Sequence, residues 1–150
     1  MSGRSVEVAD ERPRILLVED DPGVRRSLQL LLQARGYDVR AHAIGATLLA
    51  DPAVETAVCL IADYRLTGLD GVEVLQALRA RGWLGPAILI TAFGSPSLTA
   101  RAAAAGYASV VEKPMRDQIL VATLTRLVAR PERMSENHVV SAICPVQKRA

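Results

Sequence analysis

Residues 15–28 read ILLVEDDPGVRRSL, and the fold follows from how this stretch changes character twice. Ile15 to Val18 is an unbroken apolar run closed by charge, the pattern of a strand buried on both faces. Asp21-Pro22 then sets an N-cap residue before a proline at the first helical position. Val24, Leu28, Leu31 and Leu32 follow at helical spacing and make one apolar face, and Gly36 supplies the stop. A buried strand passing through acidic residues into a capped helix is one unit of a parallel α/β sheet.

The same unit recurs along the chain. Tyr37 to Ala41 reads as a second strand and Ala43 to Ala50 as a short helix that Asp51-Pro52 breaks. Val58 to Ala62 is a buried strand ending at Asp63; Asp70-Gly71 opens a helix with Val72, Leu75 and Leu78 on one side, closed by Gly82. Ala87 to Ile90 is another strand, ending at Thr91, and Ser95-Pro96 starts an alanine-rich helix that runs to Gly106. Ser109 to Glu112 is the last strand, ending at Lys113-Pro114. An amphipathic helix with Leu120, Leu124, Leu127 and Val128 inward then stops at Pro131. Five strands alternating with five helices predict a doubly wound, five-stranded parallel sheet with helices on both faces. The boundaries are a flexible segment 1–13, a folded domain 14–130 and a loosely ordered tail 131–150.

Composition agrees with one folded domain. Half of the 150 residues are hydrophobic and 23% are charged, which excludes wholesale disorder. A net charge of +2, from 18 basic and 16 acidic residues, gives little support to direct nucleic-acid binding. Cys59 and Cys144 cannot make a disulfide framework, and Cys59 sits in an apolar run as a small hydrophobe. The opening MSGRSVEVADERPR lacks the apolar segment of a secretory signal. No run approaches the roughly 20 apolar residues of a membrane span. The expectation is a cytoplasmic protein without membrane insertion.

Ligands of open parallel sheets bind beyond the carboxyl ends of the strands. Those ends carry Glu19 and Asp20, then Asp63, Thr91 and Lys113. Three carboxylates, a hydroxyl and an ammonium thus converge on one edge. The carboxylates would repel unless they shared a cation, and an all-oxygen set suits Mg²⁺. Asp21 is set apart from its neighbours as the N-cap. Lys113 stands out because the chain otherwise uses arginine, its only other lysine being Lys148.

The runs ILLVEDDPGVRRSL, CLIADYRLTGLDG, ILITA and VVEKP together resemble the receiver domain of two-component response regulators, over about residues 14–130. The resemblance implies a flavodoxin-like (βα)5 fold. It implies Asp63 as phosphoacceptor, taking its phosphoryl group from a histidine kinase or a histidine phosphotransfer protein. Glu19, Asp20, Asp63 and the backbone carbonyl of Arg65 would hold Mg²⁺, Thr91 would hydrogen-bond the phosphoryl group, and Lys113 would pair with its oxygens. A cis Lys113–Pro114 bond is also implied.

Two positions depart from the family pattern. Receivers often show Met-Pro after the acceptor, whereas the loop here reads Arg65-Leu66-Thr67-Gly68, and Arg65 places a cation near the approach of hydrolytic water. Val110 fills the place of the usual aromatic residue three positions before the lysine, which leaves Phe93 or Tyr107 as substitutes for the switch. Blander roles fit several other residues: His42 as a solvated loop histidine, Arg25-Arg26 as a solvated helix face, Trp83 as partly packed. Val139 to Val146 reads as a poorly ordered terminus ahead of a docking segment. The resemblance adds that helix one could dock the phosphodonor.

The twenty residues from Pro131 onward are too few for a helix-turn-helix or enzymatic output domain, so the expectation is a stand-alone receiver that acts by binding a downstream protein. Its output surface, and a homodimer contact, would be the face of helix four, strand five and helix five. No separate substrate turnover is expected. The alternatives are a receiver-like interaction module that is not phosphorylated, and a Mg²⁺-dependent phosphatase with an aspartyl nucleophile. Arg65 counts against the phosphatase, because such enzymes carry a second aspartate there.

Overall fold

The computed structural model describes residues 12–141, with side chains to residue 129. Most of the expected flexible segment 1–13, Cys144, Lys148 and most of Val139 to Val146 lie outside the described residues.

Five parallel strands form one sheet in the order β2-β1-β3-β4-β5. They are β1 (Arg14–Val18), β2 (Asp38–His42), β3 (Ala57–Asp63), β4 (Ala87–Thr91) and β5 (Ser109–Glu112). The helices are α1 (Pro22–Ala34), α2 (Gly45–Leu49), α3 (Gly71–Ala80), α4 (Pro96–Ala105) and α5 (Asp117–Ser141), with a 3-10 turn at Pro52–Thr56 between α2 and β3.

Strand alternation builds two cores. Leu16 and Val18 of β1, Leu60 and Ala62 of β3, and Ala87 and Leu89 of β4 face α2, α3 and α4, where they meet Leu48, Leu75, Leu78 and Leu98. Ile15, Leu17, Cys59, Ile61, Ile88 and Ile90 face the other way, against Leu28 and Leu32 of α1 and Leu120 and Leu124 of α5. Burial on both faces is why the three central strands, β1, β3 and β4, read as continuous apolar runs, unlike the edge strands β2 and β5. Burial also pushes the Cys59 thiol up to about 12, which keeps it an inert hydrophobe.

The caps form as expected. Asp21 accepts from the Val24 amide, Ser95 from the Leu98 amide, and Asp70 makes a reciprocal capping box with Glu73. The Lys113–Pro114 bond is cis.

Three expectations need correction. Strand β2 runs Asp38–His42, one residue later than expected, because Tyr37 packs into the second core ahead of the strand. Helix α5 does not stop at Pro131; it continues to Ser141. A proline inside a helix forfeits one hydrogen bond and strains the preceding turn without obliging the chain to leave it, and the neighbouring Ala129, Arg130 and Arg133 are good helix formers. His42 is no solvated loop residue: it ends β2, with Nε2 2.9 Å from Asp51 Oδ2 and Nδ1 3.0 Å from Thr47 Oγ1.

Candidate functional site

The carboxyl ends of β1, β3, β4 and β5 build the site. Glu19, just past β1, is buried and held from several sides. Its N–H donates to the His42 carbonyl at 3.0 Å, and its Oε2 accepts from the Asp21 amide at 3.1 Å. Asp20 beside it is exposed. Asp63 closes β3 with only 6% of its surface exposed, and in the sheet register it stands opposite Ile90, one residue before Thr91. Lys113 follows β5, and its N–H donates to the Thr91 carbonyl at 2.8 Å, which fixes where the side chain starts.

The side chains then meet. Lys113 Nζ lies 3.4 Å from Asp63 Oδ1 and 3.3 Å from Glu19 Oε1. Oxygens of Glu19, Asp20 and Asp63 all fall within 4.8 Å of one another. Burial raises the Asp63 carboxyl above its ordinary value, with Lys113 opposing and Asp20 adding to the rise. Glu19 is likewise raised by burial, against the Asp21 amide, with Asp63 contributing. Burial alone would depress the Lys113 ammonium, but Asp63 and Glu19 together hold it above its usual range.

One ammonium, paired with Glu19 and Asp63, stands against three clustered carboxylates and leaves negative charge uncompensated. A second cation is what this set of hard oxygen donors fits, and Mg²⁺ is the ion their number and chemistry suit.

Thr91 is buried beside this cluster, and its Oγ1 accepts from the Phe93 amide at 3.2 Å. Arg65 is exposed, and its guanidinium lies over the Phe93 ring.

A family model described as the response regulator receiver domain matches residues 15–125. The chain belongs to the response regulator receiver domain family. Its relatives include the C4-dicarboxylate transport transcriptional regulatory protein DctR of Rhodobacter capsulatus, 35% identical over 85% of this chain and 66% of that protein. The transcriptional regulatory protein FixJ of Azorhizobium caulinodans is 32% identical over 76% of this chain and 54% of that protein. The chain thus spans between about half and two thirds of these relatives. A CheY-like response regulator receiver domain protein from Methanospirillum hungatei superposes with a TM-score of 0.75 over 82% of this chain and 98% of that one, at 23% identity. That likeness shows the flavodoxin-like fold. Receiver domains are signalling modules of two-component systems that act through phosphorylation.

Of the two aromatic side chains named above, Tyr107 faces inward and Phe93 outward. The Tyr107 ring is buried in the first core and its hydroxyl donates to the Gly71 carbonyl at 2.7 Å, so it braces the start of α3. Phe93 is 73% exposed and is tied to Thr91 through its own amide. Val110 is half-buried against the first core.

Sequence reasoning missed two side chains near the site. Arg25, read as part of a solvated face, turns its guanidinium back to the β1–α1 loop and donates to the Glu19 carbonyl at 2.9 Å. Arg101 of α4 donates to the hydroxyl of Tyr64, the residue after Asp63, at 3.0 Å. The only signal for Arg25 was its place in the first turn of α1.

Proposed function

We propose that this chain is a phosphorylation-dependent switch that accepts a phosphoryl group on Asp63 from a histidine kinase or a histidine phosphotransfer protein. The observation that carries this reading is Lys113 Nζ within 3.4 Å of both Asp63 and Glu19, inside a cluster of three carboxylates. In the transfer, a carboxylate oxygen of Asp63 forms a bond to phosphorus while the phosphorus–nitrogen bond of the donor breaks. The electron pair returns to the donor imidazole. Glu19, Asp20, Asp63 and the backbone carbonyl of Arg65 would hold Mg²⁺, which when bound neutralises charge on the phosphoryl oxygens. Lys113 would meet the same oxygens as a point charge, and Thr91 would donate its hydroxyl to them.

An open, mostly apolar groove of about 660 Å³ runs beside Lys113 between α1 and the β5–α5 connection, lined by Val24, Leu28, Pro114 and Met115. It supports α1 as the docking place of the phosphodonor. The face of α4, β5 and α5 serves as the output surface and as the contact of a homodimer; there Ile119 is 51% exposed beside Val110 and Met115. The receiver unit is 14–130, acting in the cytoplasm through a downstream protein.

Incubation with acetyl phosphate and Mg²⁺, followed by intact mass, tests the reading. The expected result is one phosphoryl adduct, lost in Asp63→Asn. Turnover of a phosphomonoester would instead make the chain a phosphatase. No adduct would make it a module that binds partners unphosphorylated, the reading that Val110 favours.

A further inference from the structure

The β1–α1 loop supplies two of the three clustered carboxylates, and strand pairing holds it only at its start. The β1–β2 ladder ends at Val18, and beyond it the Glu19 N–H makes the last bond to His42. The carbonyls of Glu19 and Asp20 lie past the ladder. One group meets both: Arg25 Nη1 is 2.9 Å from the Glu19 oxygen and 3.4 Å from that of Asp20. Arg25 is half-buried, whereas Arg26 beside it is exposed. Among the described residues, Arg25 has no carboxylate within ion-pair distance, so its guanidinium is spent on this backbone.

We propose that Arg25 is a positioning residue for the cation site, fixing through two carbonyls the loop from which Glu19 and Asp20 project. The inference rests on the reading of that acidic cluster as a divalent-cation site. Arg25 meets the carbonyls of Glu19 and Asp20 and not their carboxylates, so it acts on the backbone from which those side chains project. Groups that orient the residues binding a metal typically contribute about tenfold or more to its affinity. Both contacts come from one nitrogen, so a lysine ammonium can replace them where an apolar side chain cannot.

The test is Mg²⁺ affinity of the unphosphorylated protein by calorimetry, alongside thermal midpoints. Arg25→Met is expected to bind Mg²⁺ roughly tenfold more weakly. Arg25→Lys recovers most of the loss, and Arg26→Met binds as the wild type does. Arg25→Gln, whose shorter amide falls short of the loop, replaces Arg25→Met should that variant not fold. Wild-type affinity in the Met or Gln variant, with or without a lowered midpoint, overturns the proposal. So does a Lys variant as weak as these. Asp20→Asn separates the two levels of argument. If it abolishes binding while Arg25→Met does not weaken it, only the role of Arg25 falls; if the wild type itself binds no Mg²⁺, the cation site falls and Arg25's role with it.

Discussion

The guanidinium carbon of Arg65 lies 5.6 Å from the centre of the Phe93 ring. Arg65 is two residues past Asp63 and Phe93 two past Thr91, so a cation–π contact bridges the loops that follow β3 and β4 at the edge where the acidic cluster sits.

That contact gives Arg65 an expected effect on the lifetime of the phosphoaspartate. An exposed cation–π pair is worth about 0.5–1 kcal/mol. Losing it frees both loops and opens the approach of water, which at that magnitude is about a two- to fivefold faster hydrolysis. Arg65→Asn should therefore lose its phosphoryl group faster than the wild type when dephosphorylation is followed by intact mass. Equal rates would remove the idea.

Asp63→Asn should stabilise the protein when no divalent cation is present. Burial raises the Asp63 carboxyl in the folded state, so its ionisation opposes folding above that pKa, and the opposition vanishes below the unfolded value of about 3.9. Lys113 keeps Glu19 as a partner at 3.3 Å in the variant. The expected result is a higher thermal midpoint for the variant at neutral pH, a difference that shrinks toward pH 4. Mg²⁺ should raise the wild-type midpoint more than that of the variant. A variant less stable than the wild type at neutral pH would contradict this.

How much of this was legible in the sequence depends on what decides each feature. Asp63 and Thr91 were legible because buried parallel strands are apolar up to their last residue, so the first polar residue marks the sheet edge; Lys113 was legible as one of only two lysines, set at the end of the last strand before a proline. The caps at Asp21, Asp70 and Ser95 are local chemistry and read directly. Tyr107 was not legible, since its hydroxyl partner is 36 residues away and only the packing of α4 beside α3 brings them together. Arg25 and His42 were taken for solvated residues because a long or polar side chain shows no preferred direction in sequence. Each bends back to a partner that the fold supplies. Pro131 carried a true local signal that the continuing helix overrides.

Asp51 carries the clearest pH dependence of folding. Its buried carboxylate accepts two hydrogen bonds from Arg40 at 3.1 Å, one from the Ala53 amide, and lies against His42. The Arg40 bonds, working against burial, hold its pKa well below the usual carboxylate range. A depressed carboxyl pKa means the stabilisation is complete above about pH 4 and drains away as pH falls through the folded value. Arg40 is half exposed, so solvent screens the pair, and Asp51→Asn should cost about 2 kcal/mol at pH 7 by urea unfolding. The gap between variant and wild type should narrow at pH 3. A gap that is the same at both values would show that packing, and not charge, is at work.

Gly71 and Tyr107 separate bracing from chemistry. A methyl group on Gly71 would stand 2.6 Å from the Asp63 carbonyl oxygen, 2.8 Å from Leu89 Cδ1 and 3.1 Å from Tyr64 Cα. Two of these neighbours are backbone of the segment that carries the phosphoacceptor, and backbone does not yield as a flexible side chain would. Gly71→Ala should cost about 1–3 kcal/mol by overpacking and should slow adduct formation by displacing Asp63. Tyr107→Phe removes only the hydroxyl that donates to the Gly71 carbonyl, which keeps its helical bond within α3, so the cost is that of one hydrogen bond, about 0.5–1.5 kcal/mol. It touches no atom of the acidic cluster, so its rate of adduct formation with acetyl phosphate and Mg²⁺ should match the wild type at a temperature where both are folded. If the two variants lost stability alike and both kept the wild-type rate, Gly71 would serve α3 packing alone, and the backbone of Asp63 would be free to absorb the added methyl.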